Sequence, residues 1–98
     1  TGDLNNDPDS AMILKFKNKH DFVDTLSLNE ITVDSNNLNR KGLLKMFGDD
    51  KPYRTDYVFV TKDMNIDKSE VIFNNPQIIN SKSIHLSDHY GIISRLKI

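Results

Sequence analysis

The sequence predicts an α+β fold within the broad α/β class, and three observations predict it. Met12, Ile13 and Phe16 form an apolar stripe at helical spacing in a lysine-rich stretch. Tyr53 to Thr61, with its apolar run Tyr57-Val58-Phe59-Val60, reads as a strand. Gly91 to Ile98 is a final apolar run of strand length. One helix with several strands gives a mixed α and β content.

The elements follow in order. Thr1-Gly2-Asp3-Leu4-Asn5 opens the chain, and Gly2 permits a sharp turn. If Asp3 ends a strand, the period of two puts the Asp3 and Asn5 side chains on the same side. Pro8-Asp9-Ser10 begins a helix, with acids at the positive end of its dipole, running from about Asp9 to Lys19 with Lys15, Lys17 and Lys19 as polar positions. Phe22, Val23 and Leu26 pack locally around Asp24 and Thr25. Residues 27–33 fit a helix or a strand equally, and Asp34 to Asn39 is an asparagine-rich loop. In the strand from Tyr53 to Thr61, Tyr57 and Phe59 share one face, while Asp56, Val58 and Val60 share the other. Ser69 to Phe73 is a further strand, Asn74 to Ser83 with Pro76 a long loop. The last strand, Gly91 to Ile98, has Ile92, Leu96 and Ile98 on one face. No internal repeat or linker divides the chain, so one domain is expected.

Composition bounds the function. Hydrophobic residues make up 37% of the 98 residues, below the ~45–50% usual for globular domains, a reference that also counts glycine. A chain of this size buries only about two-thirds of its unfolded surface, so the core is thin. Net charge is −1 and the isoelectric point is near 6.2, which supplies no overall basic field for nucleic acid. There is no cysteine, hence no disulfide framework, and no apolar run long enough to span a membrane. Arg40-Lys41-Gly42-Leu43-Leu44-Lys45-Met46-Phe47 mixes basic and large apolar residues. It reads as a short helix packed on the sheet, as a peripheral membrane contact, or as a basic patch touching phosphates.

Three stretches carry chemistry. Leu86-Ser87-Asp88-His89-Tyr90 sets an acid beside a histidine before the last strand. A carboxylate binds hard divalent cations, and an imidazole exchanges protons near neutral pH. Arg54-Thr55-Asp56-Tyr57 puts Asp56 at the mouth of an apolar strand, and Gly2-Asp3-Leu4-Asn5 offers a carboxylate and an amide. Taken singly, Asp3 reads as a turn acid, Asn5 as a cap, Asp56 as a partner for Arg54, and Asp88-His89 as a turn. His20 and His85 match no motif and read as surface or loop histidines, and Arg54 serves equally as a site residue or half of a structural ion pair.

The ordered series Gly-Asp-Leu-Asn, Arg-x-Asp-Tyr-Val-Phe-Val, Ser-Asp-His-Tyr resembles the endonuclease/exonuclease/phosphatase superfamily, whose members include type I deoxyribonucleases, inositol polyphosphate 5-phosphatases and neutral sphingomyelinases. The resemblance covers residues 2 to 96 and implies the C-terminal portion of a deoxyribonuclease I-like four-layer α/β sandwich. It implies catalytic roles for Asp3, Asn5, Asp56 and His89. Asp3 orients or deprotonates the attacking water, Asn5 holds the nucleophile and a phosphate oxygen, Asp56 hydrogen-bonds His89, and His89 contacts the scissile phosphoryl group. Asp88 and Asp3 contribute to a Mg²⁺ (or Mn²⁺) site, and Asn5 and His89 bind substrate.

The same resemblance implies that residues 1–98 lack the N-terminal half of the domain, where the family's principal metal-binding glutamate, a further asparagine and an earlier histidine lie. Glu30 and Glu70, the only glutamates, match none of that context. The expectation is therefore a phosphoester hydrolase active only as part of the complete domain. The N-terminal half, or self-association, would complete the fold. Leu86 to Gly91 looks most like sphingomyelinases, which makes a phospholipid headgroup the first expected substrate. A DNA or RNA endonuclease is the alternative, then a phosphoinositide phosphatase, then an inactive subunit that keeps the motifs. The sequence implies no localisation.

Overall fold

Ser10 opens the helix of this protein. In the computed structural model, which describes residues 1–40 and 52–98, helix α1 spans Ala11–His20. The Ser10 hydroxyl accepts a hydrogen bond from the Ile13 N–H at 3.3 Å, satisfying one orphan donor of the first turn. Asp21, left-handed at φ 54, closes the other end by returning its N–H to the Lys17 carbonyl. Lys17, Lys19 and His20 lie at the negative end of the dipole. Asp9 falls outside the helix, because Ser10 is extended and acts as the cap. The expected stripe narrows as well. Ile13 is buried, but Met12 is 63% exposed. The helix leans instead on Ile13 and on Phe16, whose ring meets Phe22 and Phe59.

The remaining elements are strands: β1 Gly2–Asp3, β2 Phe22–Asp24, β3 Asp56–Tyr57, β4 Phe59–Thr61, β5 Asn65–Ile72, β6 Gln77–Ile79, β7 Lys82–Ile84 and β8 Gly91–Lys97. They pair as four two-stranded antiparallel ladders, β1 with β3, β2 with β4, β5 with β8 and β6 with β7. The class is thus α+β. The strand expected from Tyr53 to Thr61 is interrupted at Val58, because its two halves face different partners. At the break the Val58 carbonyl accepts from the Thr25 N–H. Tyr57 and Phe59 still share a face, with stacked rings 5.1 Å apart.

Other expectations change in extent. The strand expected at Ser69 starts earlier, at Asn65, and stops at Ile72, because Phe73 is left-handed at φ 61. The expected loop from Asn74 to Ser83 contains the β6–β7 hairpin. Asn80 and Ser81 both have positive φ, 52 and 65, as a two-residue type I′ turn requires. Residues 27–33 are neither helix nor strand apart from the bridge of Val33 to Tyr53. Ile98 is fully exposed, so the inner face of β8 is Ile92, Ser94 and Leu96. Lys41 to Phe47 lies outside the described residues.

The core is small: Ile13, Leu26, Val33, Tyr57, Val60 and Tyr90. The radius of gyration, 15.0 Å, exceeds the ~13 Å of a compact 100-residue domain. Part of the interior is ionic. Arg54 grips Asp24 through both guanidinium ends, at 3.0 and 2.6 Å, and both side chains are almost wholly buried. Arg54 is therefore the structural ion-pair residue, and its partner is Asp24 rather than Asp56. Tyr57 lies under the Arg54 guanidinium, 4.8 Å from ring centroid to carbon.

Candidate metal and acid–base site

The antiparallel register of β1 and β3 sets Asp3 directly opposite Asp56. Gly2, at φ 144, occupies a backbone region that only glycine adopts easily. Like charges facing each other across a ladder repel, so this pair needs a compensating group. His89 supplies part of it. Its Nδ1 lies 2.7 Å from Asp56 Oδ2 and its Nε2 lies 3.9 Å from Asp3 Oδ2. Asp3, Asp56 and His89 each bring a ligand atom within 4.8 Å of the others, so these three could hold a metal ion.

Hydrogen bonding fixes the imidazole tautomer. Arg40 Nη2 lies 2.9 Å from His89 Nε2. A guanidinium only donates, so Nε2 is the acceptor and the ring proton sits on Nδ1, directed at Asp56. Asp56 Oδ2 also receives the Thr32 hydroxyl at 2.6 Å. Thr32 is fully buried, and its hydroxyl in turn accepts the Thr55 N–H. The Thr32 carbonyl takes the Tyr90 N–H at 2.8 Å, so one residue orients the carboxylate and pins the chain immediately after the histidine.

The asparagine-rich loop does the rest of the positioning. Asn37, fully buried, donates its amide to the Ser87 carbonyl at 2.8 Å, and Asn39 donates to the His85 carbonyl at 2.9 Å. His85 Nδ1 accepts the Leu38 N–H, and its ring lies against Tyr90. His85, expected as a surface or loop histidine, lies in a loop but is a buried structural histidine, while His20 is exposed and meets Phe16 and Phe22. Burial pushes the Tyr90 hydroxyl pKa up, and the negative charge of Asp34 and then the hydrogen bond to it raise it further.

The two other expected site residues stand differently. Asn5 is left-handed at φ 52, so it is off the strand and the period-two argument does not apply to it. It meets the site through its backbone, whose N–H donates to Asp3 Oδ1 at 3.0 Å. Asp88 turns to Arg40, with its Oδ2 3.1 Å from Nη2, and is not in the grouping of Asp3, Asp56 and His89. Thr32, Asn37 and Asn39 carried no motif signal. Their one clue was the density of Asx and Thr side chains, which bond backbone groups readily.

A groove of about 190 Å³ runs beside Asp56, lined also by Gly2, Tyr57, Tyr90 and Ile92. A larger cavity of about 660 Å³ lies between residues 7–9, 28–31 and 52–54. None of Asp3, Asp56, Asp88 or His89 lines it, so its size does not make it the chemical centre.

No protein-family model, curated protein or solved structure matches this chain.

Proposed function

We propose that this protein is a metal-dependent phosphoester hydrolase of the endonuclease/exonuclease/phosphatase type. The observation that carries the reading is the Asp56–His89 hydrogen bond, with Asp3 facing Asp56 across the ladder. His89, held by Asp56, presents Nε2 to the substrate, where it takes or returns a proton, and Asp56 stabilises the imidazolium that forms. Asp3 orients or deprotonates the attacking water, and Asn5 keeps the Asp3 carboxylate aimed through its backbone N–H. The donor set fits a divalent cation. Two opposed carboxylates repel until a cation relieves them, and Mg²⁺ is usually held by one or two carboxylates together with water and substrate phosphate. When bound, Mg²⁺ or Mn²⁺ supplies positive charge against the charge developing on a phosphoryl oxygen.

The substrate proposed first is a phospholipid-headgroup phosphodiester, supported by the net charge of −1. DNA or RNA is the alternative. The thin core and the half-buried faces of Val58, Ile92 and Leu96 support a place in a larger four-layer sandwich, of which residues 1–98 form the C-terminal part. The test measures hydrolysis of bis-p-nitrophenyl phosphate, sphingomyelin and plasmid DNA by the full-length protein with Mg²⁺ or Mn²⁺. Chelation of the metal abolishes turnover, and residues 1–98 alone are inactive. Absence of metal-dependent hydrolysis of every substrate overturns the reading, while robust turnover by residues 1–98 shows that they already complete the site.

A further inference from the structure

Arg40 stands at the His89 nitrogen that the hydrolase reading turns toward substrate. Its Nη2 bonds His89 Nε2 and Asp88 Oδ2, and its Nε donates to the Asp88 carbonyl at 2.9 Å. Of the five guanidinium N–H donors, these contacts engage three. The two on Nη1 are engaged by neither Asp88 nor His89. The side chain is 18% exposed, so it is held in place but still reachable from solvent.

Charge makes this placement consequential. Asp3 and Asp56 bring two carboxylates to one imidazole, with the Asp88 carboxylate on Arg40 beside it, a field that repels an anionic substrate. Arg40 is the cation in contact with this cluster among the described residues. Asp88 grips Arg40 at two points, carbonyl and carboxylate. A guanidinium fork matches two oxygens of a phosphate, which a point charge does not.

Resting on the hydrolase reading above, we infer that Arg40 is the anion ligand of this site. It binds non-bridging oxygens of the substrate phosphodiester, and Asp88 positions it. Nη2 leaves His89 Nε2 when the phosphodiester arrives, and the guanidinium then spans the phosphate oxygens. Asp88 thus acts through Arg40.

The experiment measures binding of dimethyl phosphate to the full-length protein by NMR titration, followed at the His89 ring nitrogens, in parallel with steady-state hydrolysis of bis-p-nitrophenyl phosphate. Arg40→Ala weakens dimethyl phosphate binding about tenfold or more and raises KM more than it lowers kcat. Arg40→Lys keeps the charge without the fork, folds as the parent does, and recovers part of the affinity. Asp88→Asn gives a smaller loss that disappears in the Arg40→Ala background. Equal affinity in the parent, Arg40→Ala and Arg40→Lys overturns the inference, as does absence of dimethyl phosphate binding to the parent. Arg40-dependent binding without hydrolysis of any phosphoester leaves the anion site standing and removes the proposed function. Hydrolysis whose KM ignores Arg40 does the reverse.

Discussion

Arg54 and Asp56 stand two residues apart and meet opposite fates. Arg54 enters a closed bidentate pair with Asp24, both side chains nearly out of solvent. Asp56 is partly exposed and faces another carboxylate, with a histidine, a threonine and an arginine completing the group. The first cluster balances its charges within itself. The second holds more negative than positive charge and keeps an open side. Burial with balance makes a brace; partial exposure with imbalance makes a place for a cation or an anion to act.

The sharpest way to separate the two is to remove one member of each. His89→Ala and Asp3→Ala each lower turnover by ~10²–10⁴-fold, the usual scale for an acid–base group. Asp3→Ala melts in urea within about 1 kcal/mol of the parent, because Asp3 is exposed and its removal relieves repulsion, whereas His89→Ala takes a hydrogen bond from Asp56 and loses about 1.5–3 kcal/mol while still unfolding cooperatively. Near-parental turnover would end the acid–base assignment.

Asp24→Ala produces the opposite profile. Truncating one partner of a buried ion pair costs about 3–5 kcal/mol, a large fraction of the stability of a domain this size. Urea unfolding reads that loss. Replacing both members, Asp24→Leu with Arg54→Met, recovers much of it, since an apolar pair of similar volume carries no stranded charge. If Asp24→Ala melted like the parent, the brace would be ornamental.

Thr32→Val tests the anchoring of Asp56. It removes the hydroxyl that donates to Asp56 while keeping shape, and a hydrogen bond to a charged group contributes about 1.5–3 kcal/mol. Expected are a stability loss at the low end of that range and a drop in turnover smaller than that of His89→Ala. Unchanged turnover would mean that Asp56 needs no second anchor.

The smallest effect is a pH dependence on the structural side. Burial pushes the Tyr57 hydroxyl up to about 12 from its ordinary 10. Between those values the unfolded chain has released a proton that the folded chain keeps, so stability falls as pH rises through that window and is untouched below it. Tyr57→Phe loses this alkaline decline. Parent and variant are compared by urea melts at pH 8 and pH 11. Identical slopes with pH would exclude Tyr57 as the source.

The sequence exposed these regions unequally. Asp3, Asp56 and His89 could be named because each sits in a short motif, and the structure brings the three together. Local pattern also found α1, β8 and the shared face of Tyr57 and Phe59. It missed the break at Val58, because which strand pairs with which half is a long-range fact. It missed the β6–β7 hairpin because the turn is Asn80-Ser81 rather than an Asn-Gly that would have announced it. Arg40 was legible only as one end of a basic-apolar segment, and Asn37 only as loop composition. Their roles depend on partners 49 and 50 residues away, and no local window contains that information.

Those separations govern the order of assembly. The bond that aims His89 spans 33 residues, and the buried carboxamide of Asn37 joins segments 50 apart. Closing long loops costs entropy before any contact repays it, whereas the hydrogen bonds of α1 close only short loops. Refolding should therefore regain helical ellipticity first and dimethyl phosphate binding last, with Asn37→Ala widening the interval between them. Stopped-flow traces in which the two signals rise together would refute that order. If it holds, chains caught midway through folding carry the helix but no competent site, so chemistry is withheld until the Asn37 loop and the His89 segment have met.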